Sequence, residues 1–123
     1  MRSYNFTEQN PIFAGFDPLK AYVTEAHARN MKVHVWFESF YVGNKHPSND
    51  PNSILSIRPE WGNKNKANAG KEGYVPHPVE HNGYFLDPAN PEIHNFLVLI
   101  VKEIISTYGV DGVNLDYIRY PSS

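Results

Sequence analysis

The chain has 123 residues, of which 41% are hydrophobic and 20% charged, and its formal net charge is −2. This composition is typical of one globular unit and excludes a disordered chain, while no stretch approaches the roughly 18 consecutive apolar residues of a membrane span. The absence of Cys excludes disulfides and thiol chemistry, and the near-neutral charge provides no electrostatic reason to expect a nucleic-acid partner.

The first predicted helix begins at Asp17 and Pro18, after an aperiodic stretch over residues 1–16 that predicts a loop. Asp is a good N-cap, and Pro suits the first helical position because its missing N–H would have no intrahelical acceptor there. The helix is predicted to end near Asn30, which tolerates a left-handed backbone. Its apolar face repeats at helical spacing, at Leu19, Tyr22, Val23 and Ala26.

The segment from Lys32 to Glu38 alternates and predicts a strand. Both of its faces carry large side chains, which is typical of a strand covered on both sides in an α/β protein. The two faces are Val33, Val35 and Phe37 against His34, Trp36 and Glu38.

Residues 39–90 have no sustained period and predict a long βα loop inserted within a single partial domain, residues 1–123. Loops beyond about 15 residues are uncommon in compact domains and are usually functional. Trp61 and Tyr84, with Tyr74, offer flat apolar rings on which sugars stack. The alternative interpretation is that so long a loop needs a small core of its own, which these rings supply.

A second helix is predicted from Asn90, as N-cap, to Gly109, as the residue after its C-terminus. A wide apolar stripe runs along four turns between them. A short strand follows from Asp111 to Asp116, with Asn114 and Asp116 on one face. The alternation of helices and strands predicts an α/β fold with parallel strands. Because two strands do not close a sheet, we expect the chain to be part of something longer.

Four blocks of sequence carry a resemblance to a known family. They are residues 17–19 with 25–27, residues 33–37 (VHVWF), residues 86–92 (LDPANPE) and residues 110–121 (VDGVNLDYIRYP). In this order and spacing they resemble the bacterial glycosyl-hydrolase-like-10 family, whose members are inferred to be glycosidases. The resemblance implies a fragment of a (β/α)8 TIM barrel, about strands 3 and 4 with helices 2 and 3. It also implies a carbohydrate partner, a longer parent chain that supplies the remainder of the barrel, and a periplasmic or extracellular location.

Asp116 is the leading candidate for a catalytic carboxylate. The active site of a (β/α)8 barrel lies at the C-terminal ends of its strands, where Asp116 is expected. Position alone suits a catalytic group and an Asp that caps the next loop equally well. The family motif favours catalysis, as nucleophile or as stabiliser of an oxocarbenium-like ion.

Glu38 ends the preceding strand and is the candidate for a second catalytic carboxylate, at about the 5–5.5 Å separation of a retaining pair. The alternatives are a substrate-binding role or an ion pair with Arg119. Family members often carry Asn at this position, which favours binding and leaves room for a second catalytic carboxylate on another strand.

The other candidates are predicted to bind substrate. His34 and Trp36 share the face of Glu38, with interior packing as the alternative for both. Arg119 either holds Asp116 ionised or forms a structural salt bridge. The complete predicted binding set is Trp36, His34, Asn114, Tyr117, Arg119, Tyr120, Trp61 and Tyr84.

The sequence therefore predicts a glycoside hydrolase that acts on a polysaccharide or cell-envelope glycan through carboxylate chemistry and needs no cofactor. The alternative is a non-catalytic carbohydrate-binding barrel built from the same residues. A metal-dependent hydrolase using His46, His77 or His81 is the third class considered, but no carboxylate lies at a convincing spacing, so no metal site is predicted.

Overall fold

A computed structural model describes residues 11–64 and 82–122 of the chain. Its helices and strands, in chain order, are α1 (Pro18–Ala28), β1 (His34–Glu38), α2 (Ile54–Ile57), α3 (Pro91–Tyr108) and β2 (Gly112–Asp116). Short 3-10 turns lie at Pro11–Phe13, Pro47–Asn49 and Pro59–Trp61. The predicted loop up to residue 10, as well as Tyr74, His77 and His81, lies outside the described residues.

Both long helices begin and end as their capping residues predict. The Asp17 side chain accepts a hydrogen bond from the Lys20 amide at 3.1 Å, and the Asn90 side chain caps α3 in the same manner. Asn30 and Gly109 follow the two helices with φ of 58° and 63°, which is the left-handed region. No helix in the described part of the chain is long and apolar enough to cross a membrane.

The two strands are parallel, as predicted, and their register pairs Glu38 with Asp116 at the C-terminal end. Because side chains alternate along a strand, the sheet has two distinct faces. Phe37 and Leu115 lie on the face covered by α3, where they line an apolar groove of about 450 Å³ with Leu97 and other α3 residues. The opposite face carries the predicted site residues His34, Trp36, Glu38, Asn114 and Asp116.

The long segment between β1 and α3 contains most of the hydrophobic core. It includes α2 and two antiparallel bridges, Tyr41 to Phe85 and Gly62 to Leu86, which sequence periodicity does not reveal. The buried cluster consists of Phe40, Ile54, Leu55, Trp61, Tyr84, Phe85, Leu86, Ile93 and Phe96. All but the last two belong to the described parts of this segment, which therefore pack against α3.

Candidate functional site

The candidate site lies where β1 and β2 end side by side. Parallel strands present their C-terminal ends at the same edge of a sheet, and in (β/α)8 barrels this edge carries the active site. The backbone pairing continues past both strands, since the Ser39 amide donates to the Asp116 carbonyl at 2.8 Å and the Phe40 amide to the Tyr117 carbonyl at 3.2 Å. These bonds hold the two strand ends in a defined relative position.

The Asp116 carboxylate accepts one hydrogen bond on each of its oxygens. The indole Nε1 of Trp36 donates to Oδ2 at 2.8 Å, and the amide of Tyr117 donates to Oδ1 at 2.7 Å. The two donors come from different parts of the chain, one from β1 and one from the residue directly after β2. The Asp116 side chain is exposed in this chain, at the C-terminal end of the open face of the sheet.

Glu38 is the register partner of Asp116, on a strand about 4.8 Å away. The two carboxyl groups therefore lie on the same face at adjacent strand ends. Burial raises the pKa of the Tyr41 hydroxyl, and the negative charge of Glu38 raises that pKa further. The hydroxyl therefore stays protonated at neutral pH, and it donates to Oδ1 of Asn44.

Tyr41 is a site residue that the sequence analysis missed. It lies three residues beyond the end of β1, in a stretch without periodicity, so no spacing signal distinguishes it from other loop aromatics. Its ring stacks on that of Tyr117, with ring centres 5.0 Å apart and planes 26° apart. Aromatic loop residues directly after a strand that ends in a carboxylate are the signal that could have identified it.

Tyr117 adopts a left-handed backbone with φ of 49°, which costs a non-glycine residue about 1–2 kcal/mol. Such strain is often found at functional sites. Its ring is half-buried between Tyr41 and Phe85, and the Arg119 guanidinium lies 5.3 Å from the ring centre. Arg119 also donates to the Tyr120 carbonyl at 3.1 Å, while Tyr120 itself is exposed.

His34 and Asn114 lie on the same open face as the carboxylates, and both are exposed. The His34 ring lies directly over Gly112, its register partner. A Cβ atom at Gly112 would lie 2.5 Å from His34 Nδ1, so glycine makes room for this ring. The structure thus brings together His34, Trp36, Glu38, Asn114 and Asp116 from the predicted set.

The predicted sugar-stacking role of Trp61 and Tyr84 requires correction. Their side chains are 0% and 4% exposed, so neither ring presents a face to a ligand. Trp61 packs on Phe96 at 5.5 Å between ring centres, and its indole donates to Glu92 Oε2 at 3.2 Å. The alternative interpretation, that the loop needs its own core, agrees with this burial.

Within residues 11–64 and 82–122, no three His, Asp or Glu side chains gather into a group that could hold a metal ion. His46 accepts from the Ser48 amide through its Nδ1 at 3.1 Å, and its ring contacts Tyr84 edge to face. The contacts of this histidine are therefore those of a loop cap.

Two sequence comparisons relate the chain to glycosyl hydrolases. The sequence model of the family described as Glycosyl hydrolase-like 10 matches residues 3–123. The glycosyl hydrolase DigH of Escherichia coli strain K12 is 37% identical over 122 residues, which are 94% of this chain and 25% of DigH. The chain thus spans about a quarter of the length of this relative.

Two solved structures share the fold. A noncanonic maltogenic alpha-amylase, AmyB, from Thermotoga neapolitana matches 80% of this chain and 20% of its own, with a TM-score of 0.57 and 19% identity. An alpha-galactosidase from Lactobacillus brevis matches 89% of this chain and 13% of its own, with a TM-score of 0.59 and 20% identity. Both are TIM-barrel glycosidases with parallel strands, and this chain shares the fold of a part of each.

Proposed function

The chain belongs to the glycosyl hydrolase-like 10 family, and from that premise we propose that it carries strands 3 and 4 of a (β/α)8 glycoside hydrolase with Asp116 in the active site. The observation that carries the proposal is the pairing of Glu38 with Asp116 at the C-terminal end of the parallel sheet. Glycoside hydrolysis normally requires a pair of carboxyl groups, and neighbouring strand ends place two of them side by side.

The roles of the two carboxylates differ in this proposal. Asp116 accepts one hydrogen bond on each carboxylate oxygen, which fixes the orientation that a nucleophile or a stabiliser of the oxocarbenium-like transition state needs. Glu38 lies beside it and is assigned to binding or to proton transfer. The exposed polar groups His34 and Asn114 on the same face are assigned to sugar hydroxyls.

The substrate is proposed to be a polysaccharide or a glycan of the cell envelope, handled without a cofactor. A location outside the cytoplasm, periplasmic or extracellular, agrees with such a substrate. Support for the carbohydrate comes from the relative and the two structural neighbours, all of which are named as glycoside-cleaving enzymes.

The test measures the release of new reducing ends from a panel of glycans that includes bare peptidoglycan strands, using the full-length protein. We expect Asp116→Asn to lower kcat/KM by roughly 100-fold or more, since a positioned catalytic carboxyl group contributes at least this much. Glu25→Gln is the matched control, because Glu25 forms an exposed ion pair with Arg29 on α1 and the substitution also replaces a carboxylate by an amide.

Each outcome of this assay has a distinct meaning. Cleavage that survives in Asp116→Asn would show that the essential carboxylate belongs to another residue, on a different strand. No cleavage by the wild type, with glycan binding intact, would support a non-catalytic carbohydrate-binding barrel instead.

A further inference from the structure

We propose that Trp36 is a positioning residue for Asp116, whose carboxylate it orients through its indole N–H. The bond joins Trp36 Nε1 to Asp116 Oδ2 at 2.8 Å and spans 80 positions of sequence. The catalytic consequence of this contact rests on the proposed function, because it requires that Asp116 take part in the chemistry. The hydrogen bond itself can be tested by a measurement that does not depend on enzymatic activity.

The bond runs diagonally across the two strands. The register places Trp36 opposite Asn114, and Asp116 lies one step further toward the C-terminal end on the same face. The two strands are about 4.8 Å apart and two residues advance about 6.6 Å, so diagonal neighbours are about 8 Å apart, which a long aromatic side chain spans. Trp therefore suits this position because it combines the necessary reach with a single donor atom.

Two donors from different segments of the chain restrict the rotation of the Asp116 carboxylate more than either donor does alone. Trp36 on β1 binds Oδ2, and the Tyr117 amide, directly after β2, binds Oδ1. With both oxygens engaged, the carboxylate plane cannot rotate without breaking a bond. Without Trp36, Oδ2 loses its donor, and the carboxylate plane of Asp116 can turn about the remaining hydrogen bond to the Tyr117 amide.

The open face that carries Trp36 points into the interior of the proposed barrel, so interior packing and sugar stacking are the roles of Trp36 that compete with positioning. Its side chain is 61% exposed, whereas the other tryptophan, Trp61, is fully buried. Positioning must therefore be distinguished by experiment from sugar stacking and from interior packing.

The first experiment observes the indole N–H of Trp36 by NMR in the full-length protein labelled with ¹⁵N-tryptophan. The signal is assigned by its disappearance in Trp36→Phe. A hydrogen bond to a charged acceptor is about twice as strong as one to a neutral acceptor, so Asp116→Asn should shift the indole proton upfield and Asp116→Ala should shift it further. An indole signal that moves in neither variant would overturn the proposal.

The chain contains its own matched control for this measurement. Trp61 donates to Glu92 in the same manner, from Nε1 to Oε2 at 3.2 Å. Glu92→Gln should shift the Trp61 signal and leave that of Trp36 unchanged, while the Asp116 variants should do the reverse. Equal shifts of both signals in every variant would indicate a general change of the fold and would contradict a specific Trp36–Asp116 contact.

The second experiment separates positioning from sugar stacking by steady-state kinetics. Because a misplacement of about 1 Å at a reacting group costs as much as 100-fold, we expect Trp36→Phe to lower kcat roughly 10- to 100-fold with KM changed less than about twofold. A raised KM with unchanged kcat would assign Trp36 to substrate binding and overturn positioning. If the wild type cleaves no glycan, the proposed function fails while the NMR measurement still decides the Trp36 contact.

Discussion

Two aspartates at opposite ends of β2 have different surroundings. Asp111, just before the strand, accepts from the Val33 amide at 2.8 Å and lies 2.7 Å from His27 Nε2. Asp116, at the other end, faces the open side of the sheet. In (β/α)8 barrels the N-terminal end of the strands serves stability and the C-terminal end serves chemistry. We therefore assign Asp111 to stability, a role that the sequence analysis did not identify.

The pKa of Asp111 is lowered, first by the hydrogen bond from the Val33 amide and then by the one from His27. A group with a lowered folded-state pKa stabilises the fold fully above its unfolded pKa, about 3.9 for Asp. This contribution is lost as the pH falls through the folded-state pKa.

We predict that Asp111→Asn lowers the free energy of unfolding at pH 7 and that its difference from the wild type shrinks as the pH falls below about 4. Urea denaturation at a series of pH values measures this. Glu25→Gln serves as the control, since exposed ion pairs contribute little. A difference between Asp111→Asn and the wild type that stays constant down to the most acidic pH would contradict the assignment.

The helices form where several local sequence features favour the same boundaries. α3 combines an N-cap at Asn90, a proline in its first turn and a glycine directly after its end. The strands are slightly shorter than predicted, since β1 begins at His34 and β2 at Gly112. The reason is that Val33 and Asp111 pair through a side-chain bond and a single backbone bond, from the Asp111 amide to the Val33 carbonyl, instead of a regular ladder.

Gly109 lies directly after α3, and substitutions there test how much its left-handed backbone contributes to stability. Its φ of 63° is left-handed, and a Cβ atom there would meet no atom within 4 Å in the described structure. Gly109→Ala should therefore destabilise the protein by about 1–2 kcal/mol through backbone strain alone, and Gly109→Asn by less. Thermal unfolding of the two variants measures the difference. Equal stability of the alanine variant and the wild type would mean that the helix end relaxes to another conformation.

At the scale of the whole molecule, the segment between β1 and α3 contributes both core and site. Its buried residues pack on α3, while Tyr41 reaches from it to Tyr117 beside Asp116. Folding of this segment and the geometry of the site are therefore coupled through the ring contacts of Tyr41 and Phe85 with Tyr117.

Leu86 is fully buried in this core, whereas Ile57 on α2 is 45% exposed. We predict that Leu86→Ala lowers the free energy of unfolding by about 2–5 kcal/mol, because it removes buried methyl groups and leaves a cavity. Ile57→Ala is the control and should cost much less. Chemical denaturation followed by tryptophan fluorescence gives both values, and similar losses in the two variants would show that the segment is not packed as described.

The sequence by itself determined the helix ends, the alternation of the strands, their parallel order and the family. The helix ends and the strands depend on capping residues and on periodicities of a few positions, which local backbone energetics decide. The parallel order follows from the alternation of helices and strands, and the family follows from the four blocks of sequence that resemble it. The grouping of Glu38 with Asp116 follows in the same way, since both end parallel strands that are neighbours.

Only the tertiary structure decided which aromatic residues are buried and which remain available. Trp61, Tyr84 and Trp36 resemble one another as sequence features, yet the first two lie in the core and the third bonds to Asp116. The physical reason is that burial and hydrogen bonding depend on contacts between segments far apart in the chain. No local period specifies such contacts, and the side chains of Trp36 and Asp116, 80 positions apart in sequence, meet only in the folded chain.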